Sequence, residues 1–288
     1  MIYEKNWEDY ALLDVSDGNR LERWEKYILI RPDPQAIWSE KNSNLWSKSD
    51  AVYKRSGSGG GFWNLKNKLP DKWIVRYQPL DLAFEISPMG FKHMGIFPEQ
   101  AANWEYVTEK INSAGCNISV LNLFAYTGGA TLAAAAAGAD VCHVDAARGM
   151  VSRARENAKS SGLEDKPIRW IVDDCVKFVE REIRRGRRYD ALIMDPPSYG
   201  RGPSGETWKL EESLYGFVKL CSGVLSGDPL FVMINSYTTG LSPSTLTYIA
   251  QSLLGGSAES CELGLPVASS GLTLPCGATC RWTPAVKS

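Results

Sequence analysis

The chain is poor in histidine, has no long apolar run and carries almost no net charge, and each shortage removes a class of function. Two histidines in 288 residues, beside a single close cysteine pair (Cys276 and Cys280), leave no ligand set for a structural zinc site. The remaining cysteines, at 116, 142, 175, 221 and 261, are scattered. An odd total without an export signal fits a reducing compartment, with the thiols as small core residues. The AAAAAGA run at 133–139 is far too short to cross a bilayer. MIYEKNWEDY has no basic segment leading into an apolar core, so no signal peptide is expected and the expected location is cytoplasmic. A net charge of -1 gives no general attraction for nucleic acid. Also missing are G-x-G-x-x-G and G-x4-G-K-S/T, which argues against a standard dinucleotide fingerprint and a triphosphate loop.

What is there is a rhythm. From residue 117 onward, expected strands at 118–123, 141–145, 168–172, 189–194 and 229–235 alternate with expected helices at 128–138, 147–161, 174–185, 208–225 and 243–254. Such alternation implies a mostly parallel sheet covered on both faces. A helix over 98–114 precedes it, with Pro98 at its start and Gly115 past its end. Two late runs, SCELGLPV and LPCGATCRW, fit an antiparallel pair at one sheet edge. Before residue 90 the reading is a small β-rich module: a strand from Tyr27 to Arg31, a glycine-rich loop KRSGSGGGFWN at 54–64, and a hairpin over 73–87. The expected fold is therefore α/β, a Rossmann-like sheet with an antiparallel edge hairpin (residues 91–288) behind a small N-terminal β-rich domain (residues 1–90).

Four strand ends carry the chemistry. The first strand runs into Phe124, and Thr127-Gly128-Gly129-Ala130 turns into a helix whose free N–H groups face a ligand. Asp145 closes the second strand, where a carboxylate accepts from both hydroxyls of a ribose. Asp173-Asp174 follows the third, and Asp195-Pro196-Pro197-Ser198-Tyr199 follows the fourth. A lone strand-end Asp is as often a helix cap as a ligand contact; the series at one sheet edge points to an adenosine-bearing cofactor. Two prolines after Asp195 fix the backbone and remove two donors. That suits holding a flat, amine-bearing ring beside an electrophilic methyl group, with Tyr199 placed to stack. The five arginines of residues 181–188 read as the wet end of a helix, with a polyanion contact as the alternative. Trp7, Trp24, Trp38 and Trp46, at irregular spacing, read as packing residues rather than base-stacking ones. His143, inside the second strand, reads as packing; His93 beside Lys92 reads as a possible substrate contact with no partner that would make it a base.

These residues resemble class I S-adenosylmethionine-dependent methyltransferases over about residues 85–240. The likeness is to the bacterial branch of large-subunit rRNA cytosine-C5 and guanine-N7 enzymes, in a subgroup without their N-terminal RNA-binding module. The stretch FKHMGIFPEQAANW matches that branch at Lys92, Gly95, Phe97 and Gln100, with Glu99 in place of an Asp. The resemblance implies that Lys92, Phe97 and Gln100 line the cofactor site. It also implies that Phe124, Ala125, Tyr126, Thr127, Gly128 and Gly129 surround the methionine part of S-adenosyl-L-methionine. Asp145 would hold the ribose, Asp174 would sit near the adenine, and Asp195, Pro196, Pro197 and Tyr199 would face the target. No metal is implied, structured RNA is the expected substrate, and a monomer or homodimer is expected. One departure stands out. The cytosine enzymes place a nucleophilic cysteine after the fifth strand, whereas this chain reads MINSYTTGLSP there, with Ser236, Tyr237, Thr238 and Thr239. Attack by a substrate nitrogen is the expected chemistry. A protein or small-molecule methyltransferase, an NAD-dependent oxidoreductase and a catalytically inactive binding protein stay open as alternatives.

Overall fold

The computed structural model describes residues 1–3, 5–57, 60–89, 92–201 and 207–285; Ser58 and Gly59 of the glycine-rich loop and Phe91 before the first helix lie outside them. The chain divides into two compact units, Met1–Ala102 with Gly264–Cys276, and Asn103–Leu263 with Gly277–Ser288. Where the sequence suggests a boundary at residue 90, the first unit continues to Ala102 and takes a late segment as well.

In the first unit, β1 (Tyr10–Ser16), β2 (Asn19–Trp24) and β3 (Tyr27–Pro32) form an antiparallel meander. The sequence reading places only one strand here, from Tyr27. The missed signal is Asp17-Gly18, both at positive φ (52° and 70°), the two-residue turn whose twist matches a hairpin. Next, β4 (Ala51–Arg55) runs parallel to β3, and β5 (Gly61–Leu65) returns antiparallel along the outer edge, completing the order β1-β2-β3-β4-β5. A separate hairpin joins β6 (Trp73–Tyr77) to β7 (Leu82–Ile86), as expected. The fully buried Glu22 is held by Arg31 (2.5 and 2.7 Å) and the Tyr10 hydroxyl (2.9 Å). The N-terminal tryptophans are tied inward: the indoles of Trp7, Trp38 and Trp46 donate to Pro98 O, Val15 O and Asp14 Oδ2, and Trp24 is fully buried.

The second unit carries the alternating pattern. Its helices are α1 (Ala101–Ser113, entered through a single 3-10 turn at Pro98–Gln100), α2 (Gly129–Ala136), α3 (Arg148–Ser160), α4 (Cys175–Arg184), α5 (Leu210–Ser222) and α6 (Pro243–Leu254). The strands are β8 (Ser119–Leu123), β9 (Asp140–Asp145), β10 (Ile168–Val172), β11 (Ala191–Met194), a short pair β12 (Tyr199–Arg201) and β13 (Thr207–Lys209), then β14 (Phe231–Ser236), β15 (Ser257–Pro266) and β16 (Thr273–Thr283). The main sheet has the order β10-β9-β8-β11-β14-β16-β15. β10, β9, β8, β11 and β14 are parallel, and β16 lies antiparallel to β14.

Alternation along these strands explains the two covered faces. Leu121, Leu123, Val144, Leu192, Met194, Val232 and Ile234 pack with α4, α5 and α6, while Val120, Val141, Ala191, Ile193, Phe231 and Met233 pack with α1 and α2. Successive side chains point to opposite faces, so strands buried on both sides must be apolar throughout. The alanines of α2 bring that helix close to the sheet. Chain order reverses at β8, whose neighbours are β9 and β11, and open α/β sheets bind ligands in the crevice at such a switch point.

Candidate active site

The loop after β8 is strained and well supported. Phe124 (φ 55°), Tyr126 (φ 51°) and Gly128 (φ 90°) alternate in the left-handed region, which L side chains adopt only when their surroundings over-determine it. Ala125 N donates to Val144 O at 3.1 Å and Tyr126 N to Asp145 Oδ2 at 2.9 Å, which pins the loop over the end of β9. A Cβ on Gly128 would lie 3.1 Å from Ala154 Cβ, and one on Gly129 would meet the Trp104 ring at 2.5 Å. Gly129 is therefore demanded by the protein's own packing, and Gly128 by its left-handed backbone together with a tight neighbour.

Beneath the loop runs a buried polar chain that the sequence reading does not foresee. Asn122 Nδ2 donates to Thr131 Oγ1 (2.9 Å), which lies 2.9 Å from His143 Nδ1, and Asn157 Nδ2 donates to Thr127 O (2.9 Å). All four polar side chains are buried. Burial, and then the charge of Arg155, pushes His143 down to about 3, so it serves as a neutral strut packed on Trp170 (4.9 Å between centroids).

Asp145 accepts one backbone N–H on each oxygen, from Tyr126 and from Ala147 (2.8 Å). Burial raises its carboxyl above the usual range, and those two bonds pull it part of the way back. Each carboxylate oxygen has two acceptor directions, so capacity for two vicinal hydroxyls remains. Asp174 caps α4 by accepting from Lys177 N (2.9 Å), and Asp173 pairs with Arg181. Arg185 and Arg169 close on the buried Glu182 (3.1 and 3.5 Å), beside the Tyr189 hydroxyl at 2.6 Å. Ion pairing thus accounts for Arg181 and Arg185 of the arginine run.

Asp195 directly follows β11, its N–H continuing the ladder to Leu123 O (3.3 Å). Pro196 is buried, Pro197 is exposed, and Tyr199 is 53% exposed. The loop is clamped from the far side by the β12–β13 hairpin. Trp208 donates its indole N–H to Pro197 O (2.7 Å), and Leu210 N donates to Ser198 O (3.0 Å). Trp208 also packs on Phe124 (5.4 Å) and Phe217 (5.6 Å), so one aromatic cluster links the loop after β8 to the loop after β11. The sequence reading begins a helix at 208; the structure gives a strand over Thr207–Lys209 and starts α5 at Leu210. At the end of β14, Thr238 Oγ1 donates to Ser198 Oγ (2.8 Å).

The second unit therefore gathers Phe124–Gly129, Asp145, Asp174 and Asp195–Tyr199 at the carboxyl ends of adjacent strands. Lys92, Phe97 and Gln100 belong to the first unit. There Lys92 O accepts from Arg31 (2.8 Å), His93 packs on Phe97 (5.2 Å), and Gln100 is buried with its N–H on Phe97 O. Burial, followed by Arg20, lowers the Lys92 ammonium; burial, followed by Arg31, takes His93 to about 4. Among the described residues no cluster of His, Cys, Asp or Glu is suited to a metal ion, and no helix is long and apolar enough to cross a membrane.

The family described as S-adenosylmethionine-dependent methyltransferase matches residues 73–244, more than half of the chain. This chain belongs to that family. A SAM-dependent methyltransferase from Agrobacterium tumefaciens is 35% identical, with a TM-score of 0.91 covering 98% of this chain and 93% of that one. Ribosomal RNA large subunit methyltransferase K of Neisseria meningitidis is 30% identical over 213 residues, 69% of this chain and 57% of that protein. Methyltransferase K/L of Shewanella frigidimarina is 29% identical over 176 residues, 55% of this chain and 24% of that protein. The methyltransferase thus spans between a quarter and three fifths of the length of these curated relatives. Its cofactor is S-adenosylmethionine, and the donor set fits: an ordered carboxylate with spare acceptor capacity at the switch point, below a turn that leads into a helix N-terminus.

Proposed function

We propose that this methyltransferase transfers the methyl group to a nucleobase nitrogen, a ring nitrogen or exocyclic amine, in structured ribosomal RNA. The relatives' names support the RNA class. The observation that carries the choice of atom is the pairing of Thr238 with Ser198 at the end of β14, where covalent attack on a ring carbon would need a thiolate. Cys175, which accepts from Phe124 N (3.3 Å), is buried, and burial drives its thiol far up. Cys221 is likewise buried and raised, and Cys142 stands at about 11 inside β9. None of these three supplies a thiolate near neutral pH.

When bound, S-adenosylmethionine supplies an electrophilic methyl group with a neutral thioether as leaving group. In this reading the loop after β8 and Asp145 hold the cofactor. Asp174 flanks the adenine with the oxygen its helix cap does not use. Asp195 and the rigid Pro196-Pro197 backbone accept hydrogen bonds from the target amine, and Tyr199 stacks on its ring. Orientation is most of what such a transfer asks of a protein. The decisive experiment incubates the enzyme and labelled S-adenosylmethionine with total RNA from cells lacking this protein, followed by nucleoside analysis. Label in an N-methylated base is expected; 5-methylcytidine overturns the choice of atom, and label only in protein or small molecules overturns the RNA substrate.

A further inference from the structure

Charge is distributed unevenly in a chain whose total is -1. Residues 48–76 hold seven Lys or Arg against two Asp, a net of +5. Much of this segment is the β4–β5 hairpin at the edge of the five-stranded sheet. Register places Lys54 directly opposite Phe62, with Val52 and Asn64 next on the same face, while Arg55 lies opposite Gly61. Phe62 is 58% exposed, with Lys54 and Asn64 exposed on the same face, whereas Arg55 and Leu65 alternate onto the face of Tyr53 and Trp63. Lys54 and Arg55 form no ion pair among the described residues, unlike Lys72, which pairs with Glu85 (2.7 Å).

The opposite face makes this a stiff platform. Tyr53 is buried, stands edge-on to Trp63 (5.5 Å, 75°), and the Trp63 indole donates to Met89 O at 2.9 Å. The two aromatic rings of that face pack inward, whereas Phe62 faces water on the other. Lysines on an edge strand are a common guard against strand addition, but that role gives no reason to leave Phe62 exposed. A second copy docking through the same patch would set basic residues against basic residues. A flat aromatic surface beside an uncompensated cation matches single-stranded nucleic acid, in which every base offers a face for stacking and every linkage a negative charge.

We propose that the outer face of the β4–β5 hairpin is a contact surface for single-stranded RNA, with Phe62 as the stacking platform and Lys54, directly opposite it, as the phosphate partner. The inference goes beyond the methyl-acceptor site, and it is read by binding rather than by turnover.

The test is fluorescence anisotropy of the full chain with a labelled oligouridine of about a dozen nucleotides, across a salt series. Phe62→Ala is expected to weaken binding about tenfold. Lys54→Gln should lower the slope of log affinity against log salt by about 0.7, the share of one phosphate contact on a single strand. S-adenosylmethionine affinity, measured by calorimetry on the same variants, should stay at the wild-type value and shows that they fold. Unchanged RNA affinity and salt slope in folded variants would overturn the proposal. So would loss of self-association in Phe62→Ala, by sedimentation, with RNA binding intact, since the occupant would then be a second copy. Failure of the enzyme to methylate RNA would leave this outcome untouched and would bear only on the proposed reaction.

Discussion

At the scale of single residues, Asp145 is half-buried and His143 fully buried on the same strand, and burial disfavours the charged form of each. Asp145 is ordered by two backbone N–H groups and keeps acceptor capacity. In Asp145→Asn one oxygen becomes an amide donor facing a backbone donor, and hydrogen bonds to a charged acceptor contribute about 1.5–3 kcal/mol. S-adenosylmethionine affinity should therefore fall about ten- to a hundredfold by calorimetry; an unchanged affinity would remove Asp145 from the cofactor site. His143 contributes through pH. Unfolded, an imidazole takes up its proton near pH 6.5, whereas in the fold it does so only at about 3. Between those values the unfolded chain holds more protons, so stability falls as pH drops from 6.5 towards 3 and is unaffected by this group above that window. Urea unfolding at pH 7 and pH 5 should show the wild type losing about 2 kcal/mol more than His143→Asn between the two. Equal losses would mean that the ring is protonated in the fold.

At the scale of elements, Trp208 joins the loop after β8 to the loop after β11. Trp208→Phe keeps the ring among Phe124 and Phe217 but removes the bond to Pro197 O. A net hydrogen bond is worth about 1 kcal/mol, and small misplacements of reacting groups are amplified in rate. We expect the single-turnover rate of methyl transfer to fall about three- to tenfold with S-adenosylmethionine affinity held, on the acceptor that the labelling experiment identifies; a change in affinity alone would mean that the tryptophan serves cofactor binding. The contrast between elements also shows what a sequence can carry. β10 and α6 appear at the expected residues because apolar run, cap and breaker agree locally, and the carboxylates at the ends of β9 and β11 follow from the strands that precede them. Trp208 was not legible as a clamp, since its partner Pro197 and neighbour Phe124 are set by tertiary packing. Nor were Asn122, Thr131 and Asn157, which look like ordinary strand and helix residues until the fold brings them together. Asp17-Gly18 is a turn signal from which the β1–β2 hairpin could have been read. The short β12–β13 pair offers strands of only three residues, with no alternating run beside its Gly-Pro-Ser-Gly signal.

At the scale of the whole molecule, the chain passes between its units three times, and the last excursion sets a condition on folding. Gly264–Cys276 belongs to the first unit, where Gly264 N donates to Ile2 O, Ala268 N to Leu12 O, Ser269 N to Leu13 O, and Ser269 Oγ to Asp14 Oδ1 at 2.7 Å. Leu265, Val267 and Leu274 are buried in the intact chain. A fragment beginning at Asn103 keeps every element of the main sheet but strands this segment without the backbone partners and apolar cover supplied by residues 1–102. An exposed apolar strand pair is an aggregation site. Fragment 103–288 should therefore be poorly soluble and give a broad thermal transition. Replacing 264–276 in that fragment by a two-residue Asn-Gly turn, the connection that suits a tight hairpin, should restore a monomeric protein with a cooperative melt. Sedimentation and calorimetry of the two fragments decide the matter. If the uncut fragment is as soluble and cooperative as the shortened one, the late segment is not held by the N-terminal strands, and the second unit is independent of the first. If both aggregate, the main sheet itself depends on residues 1–102, and the N-terminal β-rich unit is part of the fold that builds the methyl-transfer site rather than an attachment to it.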